Sequence, residues 1–140
     1  VPKTLPALVR AQRLQQKAAY VGFDWEEVDQ VWQKVHEEMD ELKSAESQGI
    51  RKGIEEEAGD LFFAIVNLCR FFDIPAEDAL RKANKKFTRR FQLVEKDLKN
   101  QGKNECRSTM TRLWTFWPAW GPSPLWRITK EAWPKPSPPS

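Results

Sequence analysis

The sequence predicts an all-α protein arranged as an antiparallel four-helix bundle. Three observations carry that prediction. Four segments repeat apolar residues at helical spacing, no segment alternates as a strand would, and the breaks between segments are short and rich in cap and turn residues. A chain of 140 residues is long enough to bury a sizeable core as one domain. Hydrophobic residues at 40% and charged residues at 31% are ordinary for a globular chain in water. No apolar run approaches the ~20 residues that span a bilayer, and no charged-then-apolar leader is present. The first residue is Val1 and not Met, which fits a piece cut from a longer chain. Cys69 and Cys106 have no metal-ligand spacing, so a reducing cytoplasm is the expected setting.

The first helix is expected from Leu5 to about Ala19, with Leu5, Leu8, Val9, Ala11 and Leu14 on one face and Pro6 in the first turn. Gly22 is placed to cap its C-terminus. Asp24 then reads as the N-cap of a second helix, with Glu27 three residues on, and that helix is expected from about Trp25 to Ala45. Its apolar stripe is Val28, Val31, Trp32, Val35, Met39 and Leu42. Trp25 and Trp32 are read as core residues, and His36 beside the stripe is not taken as a metal ligand. Ser47-Gln48-Gly49 is turn chemistry.

A third helix is expected from Ile50 to Phe72, with a stripe of Ile54, Ala58, Leu61, Ile65, Leu68 and Phe72. From Leu61 to Phe72 it is apolar nearly all round, which predicts burial on more than one side and a subunit interface as the second cover. Gly53 and Ala64 lie on the edge beside that stripe, where small residues would let another group approach. Asp73-Ile74-Pro75 ends this helix and begins a fourth, expected to run to about Gln101 and stop at Gly102. The fourth helix has the stripe Ala79, Leu80, Ala83, Phe87, Phe91, Val94 and Leu98, and a basic face that includes Arg81, Lys82, Lys85, Lys86, Arg89 and Arg90.

The composition changes after residue 103. Residues 104–140 hold five of the seven Trp and seven of the ten Pro, a density of Pro that forbids a long helix. The expected organisation is therefore a helical domain over 1–103 and a poorly ordered tail over 104–140, whose composition is also that of an out-of-frame read-through. The whole net charge of +3 comes from the tail, since 1–103 is balanced between acid and base. That balance argues against a nucleic-acid-binding bundle.

Two acidic clusters are the chemical feature of the chain: Glu37-Glu38-Met39-Asp40-Glu41 and Glu57-Ala58-Gly59-Asp60. A pair of acids at i, i+3 is ordinary on a solvated helix face. Here both pairs border an apolar stripe, on two helices joined by a short turn. Folded back, those helices bring Glu38, Glu41, Glu57 and Asp60 together, and like charges that close repel unless a cation lies between them. Ligands that are all oxygen suit a hard cation, Mg²⁺ or Mn²⁺, and such a cation commonly serves phosphate chemistry. Lys34 lies one turn before Glu38, while Lys86 and Arg90 can reach in from the fourth helix as phosphate partners. Asn67 and Asn84 are candidates either for a ligand or for a helix interface.

These blocks resemble the MazG-type nucleoside triphosphate pyrophosphohydrolases. Their metal pattern, Glu-Glu-x-x-Glu followed by Glu-x-x-Asp, stands here at residues 37–41 and 57–60, and the stretches 5–25, 55–72 and 79–91 are similar too. The resemblance covers about residues 2–103 and is closest to the C-terminal domain of bacterial MazG. It implies a homodimer of the all-α NTP pyrophosphohydrolase type, Mg²⁺ dependence, and hydrolysis of NTPs and dNTPs to monophosphate and pyrophosphate. Carried over, Glu38, Glu41, Glu57 and Asp60 would hold the metal. Lys34, Lys86, Arg90 and Asn84 would contact phosphate or nucleotide, and Glu37 would orient or deprotonate the attacking water. The sequence departs from the family near Asn104, where members continue into a short acidic segment with a Trp that closes over the nucleotide. That departure supports the alternative of a helical dimerisation or nucleotide-binding module with weak turnover.

Overall fold

A computed structural model describes residues 1–100, without the side chains of residues 97 and 98. Four helices follow in order: α1 (Ala7–Tyr20), α2 (Val28–Gln48), α3 (Arg51–Phe71) and α4 (Ala76–Asn100). No strand occurs among the described residues, so the all-α class is as expected. No helix among them is long and apolar enough to cross a membrane. The expected tail, Gly102 and Cys106 lie outside the described residues. Residues 1–85 form one compact unit, and a second begins at Lys86 within α4.

The caps show why the helices end where they do. At the end of α1, Phe23 N–H donates to the Ala18 carbonyl at 3.0 Å and Gly22 N–H to the Ala19 carbonyl at 3.0 Å. This double bond pattern needs a left-handed residue, and Gly22 supplies it with φ +87°. The expected start of α2 is corrected. Asp24 does not cap it, because its carboxylate is taken by Arg70 on α3. The helix begins three residues later at Val28, where Gln30 Oε1 accepts the N–H groups of Glu26 at 3.0 Å and Glu27 at 3.2 Å. At its far end α2 runs past Ala45 to Gln48. Ser47 is accommodated by donating its hydroxyl to the Lys43 carbonyl at 3.0 Å. Gly49, at φ +70°, then reverses the chain into α3.

The turn at Gly49-Ile50 makes α2 and α3 an antiparallel pair. Their shared core is Val31, Val35, Ala64 and Leu68, with Val28, Leu61 and Phe71 packed against it. Full burial of an aliphatic side chain of this size contributes about 1.5–3 kcal/mol relative to exposure. Ala64 is thus a core residue, and α2 is the group that the small residues of α3 admit: a Cβ on Gly53 would lie 3.9 Å from that of Ala45. Trp25 and Trp32, read as core, are corrected to exposed. The valines of α2 occupy the narrow seam against α3, and Trp32 instead stacks on His36 outside it.

Helix α1 packs on α3, and Gln15 donates from Nε2 to the Phe63 carbonyl at 2.8 Å. From α1, Gln12 also ties down the connection to α4. Its Nε2 donates to the Ile74 carbonyl at 3.1 Å, and its Oε1 accepts the Ala76 N–H at 2.9 Å. An unpaired N–H in the first turn of α4 is thereby satisfied by a residue 64 positions earlier.

Helix α3 closes with the same bond pattern as α1, Ile74 N–H to the Cys69 carbonyl at 2.9 Å and Asp73 N–H to the Arg70 carbonyl at 3.1 Å. Here the left-handed residue is Asp73, at φ +53°. Its Cβ is disfavoured there, and its charge opposes the helix dipole. Asp73→Gly is expected to stabilise the fold by about 0.5–1 kcal/mol. A higher urea midpoint with unchanged slope would show this, and an equal or lower midpoint would contradict it.

Candidate metal centre

Three residues on one face of α2 face α3 beside the shared core. Lys34, Glu38 and Glu41 follow at i, i+4 and i+7, which a 3.6-residue period places in one row. Opposite them on α3 stands Glu57. One carboxylate oxygen from each of Glu38, Glu41 and Glu57 lies within 4.8 Å of the others. Glu38 is only 4% exposed, Glu57 is half-buried and Glu41 is exposed.

The electrostatics of this group are uneven. Lys34 Nζ lies 2.6 Å from Glu38 Oε1 and 3.3 Å from Glu37 Oε1. The hydrogen bond to Glu38, assisted by Glu37, holds the Lys34 ammonium above its ordinary pKa despite partial loss of hydration. The other oxygen of Glu38, Oε2, is buried with no hydrogen-bond partner, and so is Oε2 of Glu57. Glu41 is pushed above the usual carboxylate range, first by the charge of Glu38, then by lost hydration and by Glu57. The Lys34 charge opposes these only in part.

Buried carboxylate oxygens are expensive to leave without a partner. Two such oxygens in an all-oxygen group of three acids fit a hard divalent cation, which is the chemistry this donor set can hold. Glu38, Glu41 and Glu57 are therefore brought together as the sequence leads one to expect. Asp60 is exposed and lies outside the group of three. Glu37 borders it through Lys34, with a side chain 56% exposed. Asn84 is exposed on α4, and Lys86 and Arg90 belong to the second unit.

A second polar arrangement was not legible in the sequence. Arg70 donates to both carboxylate oxygens of Asp24, at 3.0 Å for Nη1 to Oδ2, and its Nε and Nη2 donate to Asn67 Oδ1 at 2.9 and 2.8 Å. Asn67 is thus satisfied within the protein. The hydrogen bond from Arg70 chiefly holds the Asp24 carboxyl below its usual range, with help from the Trp25 N–H and against partial dehydration. A cleft of about 330 Å³ opens here, lined among others by Gln15, Phe23, Trp25 and Phe63. None of the four expected metal ligands lines it. The spacing of Asn67 and Arg70 at i, i+3 hints at their contact, whereas nothing local links Asp24 to Arg70.

The structure defines an all-α protein whose second and third helices converge a carboxylate group suited to a hard cation. The sequence profile described as Phosphoribosyl-ATP pyrophosphohydrolase matches residues 7–87, and the chain belongs to that family. The chain is 48% identical over 104 residues to the Nucleoside triphosphate pyrophosphohydrolase of Escherichia coli (strain K12), covering 73% of this chain and 40% of that protein. It is 48% identical over 97 residues to the Nucleoside triphosphate pyrophosphohydrolase/pyrophosphatase MazG of Thermotoga maritima, covering 66% and 37%. The Uncharacterized protein YabN of Bacillus subtilis (strain 168) is 47% identical over 103 residues, covering 73% and 21%. The chain thus spans two fifths or less of the length of these curated relatives, and the MazG-type resemblance is borne out over that segment.

The raised Glu41 pKa sets a pH dependence. A carboxyl with a folded pKa above its unfolded value costs stability once ionised, and the cost disappears as pH falls towards the unfolded value, near 4.5. Without divalent cations, Glu41→Gln should therefore melt at a higher temperature than wild type at pH 7. The gap should close as the pH approaches 4.5. Equal melting temperatures at pH 7 would show that Glu41 carries no such repulsion.

Proposed function

We propose that this chain carries out Mg²⁺-dependent hydrolysis of nucleoside triphosphates, NTP or dNTP, to the monophosphate and pyrophosphate. The observation that carries this reading is the pair of buried, partnerless oxygens on Glu38 and Glu57 within a three-carboxylate group. The family membership and the names of the relatives support the same chemistry. The activities named for the family and for these relatives, on phosphoribosyl-ATP and on nucleoside triphosphates, are both pyrophosphohydrolyses.

Glu38, Glu41 and Glu57 would hold the Mg²⁺, or Mn²⁺, with Asp60 as the fourth ligand one turn beyond Glu57. When bound, the cation would offset the charge of the phosphate oxygens and polarise the α-phosphoryl group. Glu37 is exposed enough to meet solvent and sits beside Lys34. It would orient a water molecule and take its proton as the oxygen attacks the α-phosphorus. The bond from the α-phosphorus to the bridging oxygen then breaks, and pyrophosphate leaves. Lys34 would take up charge on the departing group, with Asn84 as a further nucleotide contact.

The working form is proposed to be a cytoplasmic homodimer. Phe62 at 65%, Phe63 at 46% and Ile65 at 41% exposed form an apolar side of α3 that the described residues leave open. Such a surface is a candidate subunit contact. Phe62→Glu should therefore retain its helical circular dichroism while its mass in solution falls from dimer to monomer. An unchanged mass would remove α3 from the interface.

The activity is tested by pyrophosphate release from a panel of NTPs, dNTPs and phosphoribosyl-ATP, with Mg²⁺ and with chelator. Wild type should release pyrophosphate only with the cation. Glu38→Gln and Asp60→Asn should each lower the rate at least about a hundredfold, as expected for loss of a principal electrostatic contact, while keeping their helical signal. Undiminished release in both variants would end this reading. Nucleotide binding without turnover by wild type would favour the binding-module alternative instead.

A further inference from the structure

The mechanism gives Lys34 to the phosphates, but the structure commits its ammonium elsewhere. Nζ lies 2.6 Å from Oε1 of Glu38 and 3.3 Å from Oε1 of Glu37. Glu38 is buried, whereas the Lys34 side chain is 36% exposed, so the lysine reaches from the surface onto a buried anion. Such a carboxylate is strongly destabilising unless a positive charge faces it. Lys34 satisfies only one of its two oxygens, since Oε2 has no partner. Three clustered carboxylates carry three negative charges and Lys34 returns one, which leaves a group still short of positive charge.

The geometry points to Lys34 as a built-in counter-ion that competes with the divalent cation for Glu38. Without the cation, Lys34 keeps the buried carboxylate paired. With the cation present, Glu38 is shared, its pairing with Lys34 weakens, and the ammonium is freed to turn towards solvent and a phosphate arriving there. The same exchange run backwards loosens the cation once phosphate has left. This rests on the proposed metal site, and it adds that the resting lysine sets how weakly that site holds its ion.

Mn²⁺ binding to the full chain, followed by the electron paramagnetic resonance of free Mn²⁺ without nucleotide, separates the possibilities. Lys34→Met should bind Mn²⁺ about tenfold more tightly than wild type, the factor expected from removing one charge-assisted hydrogen bond to a ligand. Lys43→Met removes the same charge from the exposed face of α2, where Lys43 has no ion pair among the described residues, and should change affinity less than about twofold. Lys34→Gln keeps a donor for Glu38 and tests the same point if the Met variant fails to fold, with an affinity between the two. In chelator, Lys34→Met should melt below wild type, and saturating Mn²⁺ should raise its melting temperature by more. Unchanged or weaker Mn²⁺ binding by the Lys34 variants, or equal tightening by Lys34→Met and Lys43→Met, would overturn the competition. Absence of Mn²⁺ binding by wild type would overturn both this inference and the metal site beneath it.

Discussion

Everything at the proposed site depends on the pairing of α2 with α3. Val31 and Val35 meet Ala64 and Leu68 across a seam closed by a two-residue turn, and the carboxylates sit on the border of that seam. Apolar contact is non-directional and pulls the helices together whatever lies beside it. The acids therefore arrive at one another as passengers of the core. Their repulsion is visible in the raised Glu41 carboxyl, and their incomplete pairing in the orphaned oxygens of Glu38 and Glu57. A fold that spent its seam only on stability would have no reason to bury Glu38 there.

Much of this was legible in the sequence, because the signals were periodic and local. The 3.6-residue spacing located four helices, Gly22 and Gly49 marked real reversals, and the row Lys34, Glu38, Glu41 followed from helix geometry alone. What sequence reading missed depended on partners far along the chain. Asp24 looked like an N-cap until Arg70, 46 residues on, claimed its carboxylate. Gln12 gave no sign that it would cap α4. Trp25 and Trp32 have the hydropathy of core residues, but the seam between α2 and α3 is narrow enough for valines to fill. Asp60 belongs to the same i, i+3 pair as Glu57 but is exposed, and Glu57 is the member of that pair that comes within the group of three.

The family profile covers α1, α2, α3 and the first half of α4, the segment that contains the whole acidic group. Its description and those of the relatives name different substrates, and each is called a pyrophosphohydrolase. The cleft beside Phe23, Trp25 and Arg70 stands apart from that group and is formed by residues that the acidic pattern does not specify.

The central claim is that the acids of α2 and α3 exist to share one cation. Its most direct test is a crystal of the protein grown with Mn²⁺ and measured for anomalous scattering at the manganese edge. The account predicts an anomalous peak within about 2.0–2.4 Å of oxygens from Glu38, Glu41 and Glu57. A well-ordered acidic group at saturating Mn²⁺ with no peak among those oxygens would contradict it.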